Sequence, residues 1–166
     1  MKNRILIYCL MLIYSHFILG QDKVSNENNF KEKVRKEFND NYAKCTLSKI
    51  KYGITNFHKT TEFWSVCELE NKNRIINIDF YVKQTFYQEI YFEVNGKLRY
   101  IKEVESYIPK NSFSQASWNV EYFFNNGKMV DLISLGHGKT EDPNWNPDTI
   151  LKMYKSRIED LKKMTK

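Results

Sequence analysis

The chain has 166 residues, of which 42% are hydrophobic, 28% charged and 15% aromatic. That length supports one domain with a real hydrophobic core. The net charge of +6 is mildly basic, but Lys is scattered among Asn and Ile rather than gathered on one face as nucleic-acid binding requires, so nucleic acid is not an expected partner.

Lys2 and Arg4 precede an uncharged apolar run, Ile5 to Leu19, which Gly20 ends before the polar Gln21-Asp22-Lys23. Charged start, apolar middle and small residue at the cut are the order of a secretory signal peptide. Residues 1–20 are therefore read as a signal cleaved after Gly20. The run is shorter than the roughly 20 apolar residues of a membrane-spanning helix, so no membrane span is expected once it is removed. Cys9 lies too early for a lipid anchor at the cut, where residue 21 is Gln. Residues 21–166 are expected to form a single secreted or periplasmic α+β domain. The absence of an Asn-x-Ser/Thr sequon fits bacterial export. Cys9 leaves with the signal, and the remaining pair, Cys45 and Cys67, is expected to form a disulfide in an oxidising compartment. It would close a loop of about 23 residues, contributing about 3 kcal/mol in the chain-entropy model.

The first element after the signal is a helix over Asn28–Cys45. Phe30, Val34, Phe38 and Tyr42 recur every fourth residue on one side, charged residues cover the other, and Asn28 or Asn29 is available as a cap. Gly53 and Asn56 read as turns in an irregular passage over 46–60. The period then changes to two. Phe63–Leu69 is a strand, and Ile76, Ile78, Phe80 and Val82 alternate with polar residues or Tyr81 in a second, with a turn at Asn71 and Asn73.

An internal repeat follows. Tyr91–Leu98 recurs as Tyr122–Met129, each copy carrying Asn-Gly-Lys between apolar strands, the strongest local hairpin signal. Both hairpins should therefore share one geometry. A continuous apolar face favours a three-residue loop that pairs Phe92 with Leu98, Ile90 with Tyr100 and Phe86 with Val104. The same frame pairs Tyr122 with Val130 and Val120 with Leu132. Pro109, Asn111 and Ser112 interrupt between the hairpins as a connecting loop. After the polar loop Gly136–Asn146, Pro147 opens a closing helix capped by Asn146, with Ile150, Leu151, Tyr154, Ile158 and Leu161 as its apolar stripe. The expected fold is α+β: an N-terminal helix, an antiparallel meander of about six strands with two Asn-Gly-Lys hairpins, and a C-terminal helix.

The hairpin segments resemble the Tyr-x-Asn-Gly hairpins of MORN-type repeat proteins over about eight residues each. Two copies at longer spacing fall short of a stacked array, and no function is carried over.

Few residues suggest chemistry. Gly138-Lys139-Thr140 follows an apolar strand, but Ile133 stands where a phosphate-binding loop needs Gly, and Pro143 and Pro147 delay the helix. In the same loop His137, oriented by Glu141 or Asp142, forms the candidate catalytic set, and Lys139 could hold an anion. The alternative is a tight, solvated exit from the last strand. His58 and His137 alone support neither a metal site nor a serine triad, and no cofactor is expected. In the favoured register the non-core strand face carries Tyr87, Glu89, Tyr91, Glu93, Arg99 and Glu103, with Glu121, Phe123 and Met129 nearby. Tyr and Arg are common at protein-binding surfaces, and Tyr87, Tyr91, Arg99 and Lys139 are the binding candidates. The leading expectation is an exported, non-catalytic binding domain for a protein, envelope component or polysaccharide. The alternatives are a secreted hydrolase using the His137 loop and a structural envelope protein. Oligomeric state is not legible at this level.

Overall fold

The computed structural model describes residues 27–57, 59–107 and 116–164. The signal-peptide reading and the connecting loop at Pro109, Asn111 and Ser112 lie outside them. The chain divides into two compact units, residues 1–39 and 40–166. Helix α1 occupies residues 27–42 and crosses that boundary; Asn28 and Asn29 lie within it rather than capping it. Phe30, Val34 and Phe38 mark its less exposed side, whereas Tyr42 is exposed.

The second unit is built on a seven-stranded antiparallel sheet in which chain order is sheet order. Its strands are β1 (Ile50–Phe57), β2 (Thr60–Glu68), β3 (Arg74–Val82), β4 (Thr85–Val94), β5 (Lys97–Tyr107), β6 (Ala116–Asn125) and β7 (Lys128–Leu135). Helix α2 (Thr149–Met164) closes the chain. The meander matches expectation except for one strand more than the expected six. The extra strand is β1, where Gly53 and Asn56 had suggested turns. Gly53 sits in mid-strand, paired with Trp64, because a Cβ there would lie 2.2 Å from Met164 Cε of α2. Packing under the helix end, not a bend, accounts for that glycine.

The two Asn-Gly corners share one geometry, as the repeat implied. Asn95 and Gly96 have φ of 53° and 74°, Asn126 and Gly127 of 50° and 77°, the paired left-handed conformation of a two-residue hairpin loop. A bulge then follows in each. Glu93 pairs with Leu98 and Phe92 with Tyr100, so Arg99 is the extra residue of the bulge. Phe124 pairs with Met129 and Phe123 with Asp131, leaving Val130 unpaired and exposed. The three-residue register is therefore corrected. Ile90 faces Lys102 and Phe86 faces Ser106, while Tyr122 faces Leu132 and Val120 faces Ser134. The expected register placed all the grease on one face, but this sheet carries buried side chains on both.

One face packs against α2. Trp64, Ile76, Ile78, Tyr91, Leu98, Ile101, Trp118, Val120, Tyr122 and Phe124 form a cluster with Ile150 and Leu161 of the helix, and Leu151, Tyr154 and Ile158 pack against it. The predicted helix stripe is the one used. Each large side chain fully buried here contributes about 1.5–3 kcal/mol. The helix begins at Thr149, two residues after the expected Pro147, and Asn146 Oδ1 accepts the Asp148 N–H at 2.8 Å in the turn that leads into it. On the opposite face Ile75, Phe92, Tyr100 and Phe123 are also buried, with Tyr100 and Phe123 rings 5.6 Å apart. The expected disulfide is present: Cys45, just after α1, is bonded to Cys67 of β2 across a Cα separation of 5.8 Å.

Candidate functional site

The loop after β7 folds back over Trp118. Gly136 has φ of 84°, and a Cβ there would lie 2.2 Å from the Ser117 carbonyl oxygen; one on Gly138 would lie 2.3 Å from the Trp118 indole. Trp118 Nε1 donates to Ser134 Oγ at 2.9 Å and Thr140 Oγ1 at 3.2 Å, and those hydroxyls are 2.7 Å apart. Lys139 Nζ lies 5.4 Å from the indole centroid and donates to Glu103 Oε1. His137 Nδ1 is 2.9 Å from Glu141 Oε1, the partnership the sequence suggested. Asp142 serves the turn instead, accepting the Asn144 N–H at 2.8 Å. The imidazole is 96% exposed, and an ion pair in open water is weak.

The sheet candidates do not form one surface. The face expected to be free of the core is the face beneath α2. Tyr91 is fully buried there, and its hydroxyl donates to Glu89 at 2.6 Å. Tyr87 is half-buried, its ring stacked on Phe80 at 5.1 Å. Arg99 occupies the β5 bulge, and its Nη1 donates to the Phe124 carbonyl at 3.1 Å.

Sequence reasoning missed the row of buried carboxylates this creates: Glu62, Glu89, Glu93 and Glu103 all lie under α2. Arg157 of α2 donates from Nε and Nη2 to Glu89, both at 2.8 Å, and from Nη1 to Glu62 at 2.9 Å. Arg74 grips Glu93 through Nε and Nη2 at 3.0 and 2.8 Å, and the Tyr154 hydroxyl donates to the same carboxylate at 2.6 Å. Tyr122 donates to Glu103 at 2.8 Å. Burial, reinforced by Glu89, raises the Tyr91 phenol well above its ordinary range. Burial, with Glu103 and Glu93 respectively, does the same for Tyr122 and Tyr154. Burial opposes the charge on Arg157, but its hydrogen bonds and charge interactions with Glu89, joined by Glu62, win and hold it protonated. These groups are committed to hydrogen bonds with one another, so they position the helix rather than present reactive atoms. A signal was available: Arg157 falls beside Tyr154, Ile158 and Leu161 in the apolar stripe of α2, where an arginine needs an acid across from it.

A groove lies where the C-terminal half of α2 passes over β1 to β3. Its volume is about 410 Å³, within the roughly 300–1,000 Å³ of small-ligand sites. Trp64, Val66, Leu161 and Met164 give it an apolar floor, and Lys51, Arg74 and Lys162 stand around it with Glu68. A shallower recess of about 550 Å³ adjoins it, sharing Glu68 and Arg74 and adding Lys72 and Glu93. That recess is walled by two docked turns. The Gly96 N–H donates to the Lys72 carbonyl and the Asn95 N–H to Asn73 Oδ1, each at 3.0 Å.

Among the described residues no helix is long and apolar enough to cross a membrane, and no group of three or more His, Cys, Asp or Glu is arranged to hold a metal ion. The chain matches no protein-family model, no curated protein and no solved structure.

Proposed function

We propose that the protein is an exported, non-catalytic binding domain and that its ligand is seated in the groove beside the C-terminal half of α2. The observation that carries this reading is the groove itself: an apolar floor of Trp64, Val66, Leu161 and Met164 beneath a charged rim. A concave apolar site with a few convergent polar groups is the usual form of a ligand pocket. Export rests on the apolar run Ile5 to Leu19 behind Lys2 and Arg4. The test is a thermal-shift screen of metabolites and lipids against the wild-type protein and Met164→Trp, whose indole would fill the groove from a partly exposed helix end. Hits should raise the melting temperature of the wild type and lose that effect in the variant. Hits that stabilise both proteins equally would place the ligand elsewhere.

A secreted hydrolase is the second reading, and the His137–Glu141 bond favours it. It requires His137→Ala to abolish turnover of an ester or amide panel. Absence of turnover in the wild type ends it.

A further inference from the structure

We infer that the groove selects an amphipathic anion, an apolar body carrying a single carboxylate or phosphate head; this rests on the groove being the ligand site. The floor dictates the body. Its side chains are apolar, and the indole N–H of Trp64 is already spent on Thr55 Oγ1 at 2.9 Å. A polar group pushed onto that floor would lose its water without gaining a partner, a cost of about 1–3 kcal/mol on protein mutational scales.

The rim dictates the head. Among the described residues lining the groove and its adjoining recess, the cations are Lys51, Lys72, Arg74 and Lys162 and the acids are Glu68 and Glu93. A cleft with this excess, walled by low-dielectric side chains, concentrates anions. The existing ion pairs leave capacity for a ligand. Lys51 donates to Glu68 at 2.7 Å, but both side chains are more than half exposed, and such a pair is worth at most about 1 kcal/mol. Glu93 engages only Nε and Nη2 of Arg74, whereas a guanidinium carries five N–H donors. One effect opposes an anion: the last carbonyls of α2 place partial negative charge near this end of the groove. Lys162 and Lys163 lie in that same last turn and offset it.

Met164 is the movable element. With no side chain at position 53, the thioether end reaches over β1, and methionine is flexible enough to be displaced by an entering chain. Its methyl group therefore reports occupancy.

The experiment titrates protein carrying methyl-labelled methionine with dodecanoate, dodecyl maltoside and dodecyltrimethylammonium, each below its micellar threshold, and follows the methyl resonances. Dodecanoate should shift Met164 saturably, more than Met129 and Met153. The exposed double variant Lys51→Gln/Lys162→Gln should weaken dodecanoate about tenfold, the equivalent of about 1.4 kcal/mol, and added salt should weaken it in the wild type. Equal response of Met164 to all three amphiphiles would overturn the anionic class while leaving the groove as the site. No response of Met164 to any of them would overturn the groove reading and this inference with it.

Discussion

Glu89 of β4 and Glu103 of β5 stand directly opposite each other in the sheet, both buried beneath α2. Like charges across a strand pair repel, and here each carboxylate is answered from a different part of the chain. Arg157 of the closing helix takes Glu89, and Lys139 of the loop after β7 takes Glu103. Both of these opposed carboxylates are therefore countered only when both C-terminal segments are in place. Removing one partner of a buried pair strands the other, at about 3–5 kcal/mol. Arg157→Leu should lower the urea-unfolding free energy by about that much. Lys139→Met, at a pair half open to water, should cost less, about 1–3 kcal/mol. Equal and small losses in the two variants would contradict this account.

Alkaline pH should unfold the protein steeply. Tyr91, Tyr122 and Tyr154 all hold their protons more tightly when folded than when unfolded. Above about pH 10 the unfolded chain releases those protons and the folded one does not, so the unfolded state binds fewer protons and stability falls as pH rises. Below pH 10 the effect is absent. Tyrosinate absorbance from these side chains should appear together with loss of near-ultraviolet circular dichroism. Tyr122→Phe should flatten the decline while costing stability at neutral pH, because Glu103 loses a donor.

The disulfide should be a substantial part of the stability. Cys45 and Cys67 are separated by 22 positions, and replacing both with Ser removes about 3 kcal/mol of constraint on the unfolded chain. Equilibrium denaturation of oxidised, reduced and double-Ser protein measures it. Identical midpoints would show that the staple adds nothing.

The glycines should rank by what surrounds them. Gly96 and Gly127 have positive φ but open space around the missing Cβ, so an alanine at either position should cost about 1–2 kcal/mol from backbone conformation alone. Gly136 combines positive φ with a carbonyl oxygen in the way, and Gly136→Ala should cost more than either. Denaturation midpoints in any other order would mean that the loop after β7 gives way more easily than its packing against β6 implies.

Periodicity carried most of the architecture because each pattern here reflects one local cause. The α2 stripe is read by a single apolar layer, and the repeated Asn-Gly corners force φ above zero at both residues. β1 was obscured because Gly53 answers to Met164, more than one hundred residues away in sequence. The hairpin register failed for a related reason. Choosing the pairing with the most uniform apolar face assumes that acids face water, and Glu89, Glu93 and Glu103 do not. Their partners, Arg157, Arg74 and Lys139, come from distant segments, and no window on one strand contains them. The groove was invisible for the same reason, since its floor is assembled from β2 and the end of α2.

Because the sheet is laid down in chain order, a chain emerging from its N-terminus can add each strand to the previous one with little loop-closure cost. Until residue 157 arrives, however, the surface awaiting α2 carries the carboxylates of Glu62 and Glu89 without their arginine. Those charges keep a half-made sheet wet and mutually repulsive between molecules, a built-in guard against premature clumping that is switched off only when the last helix docks.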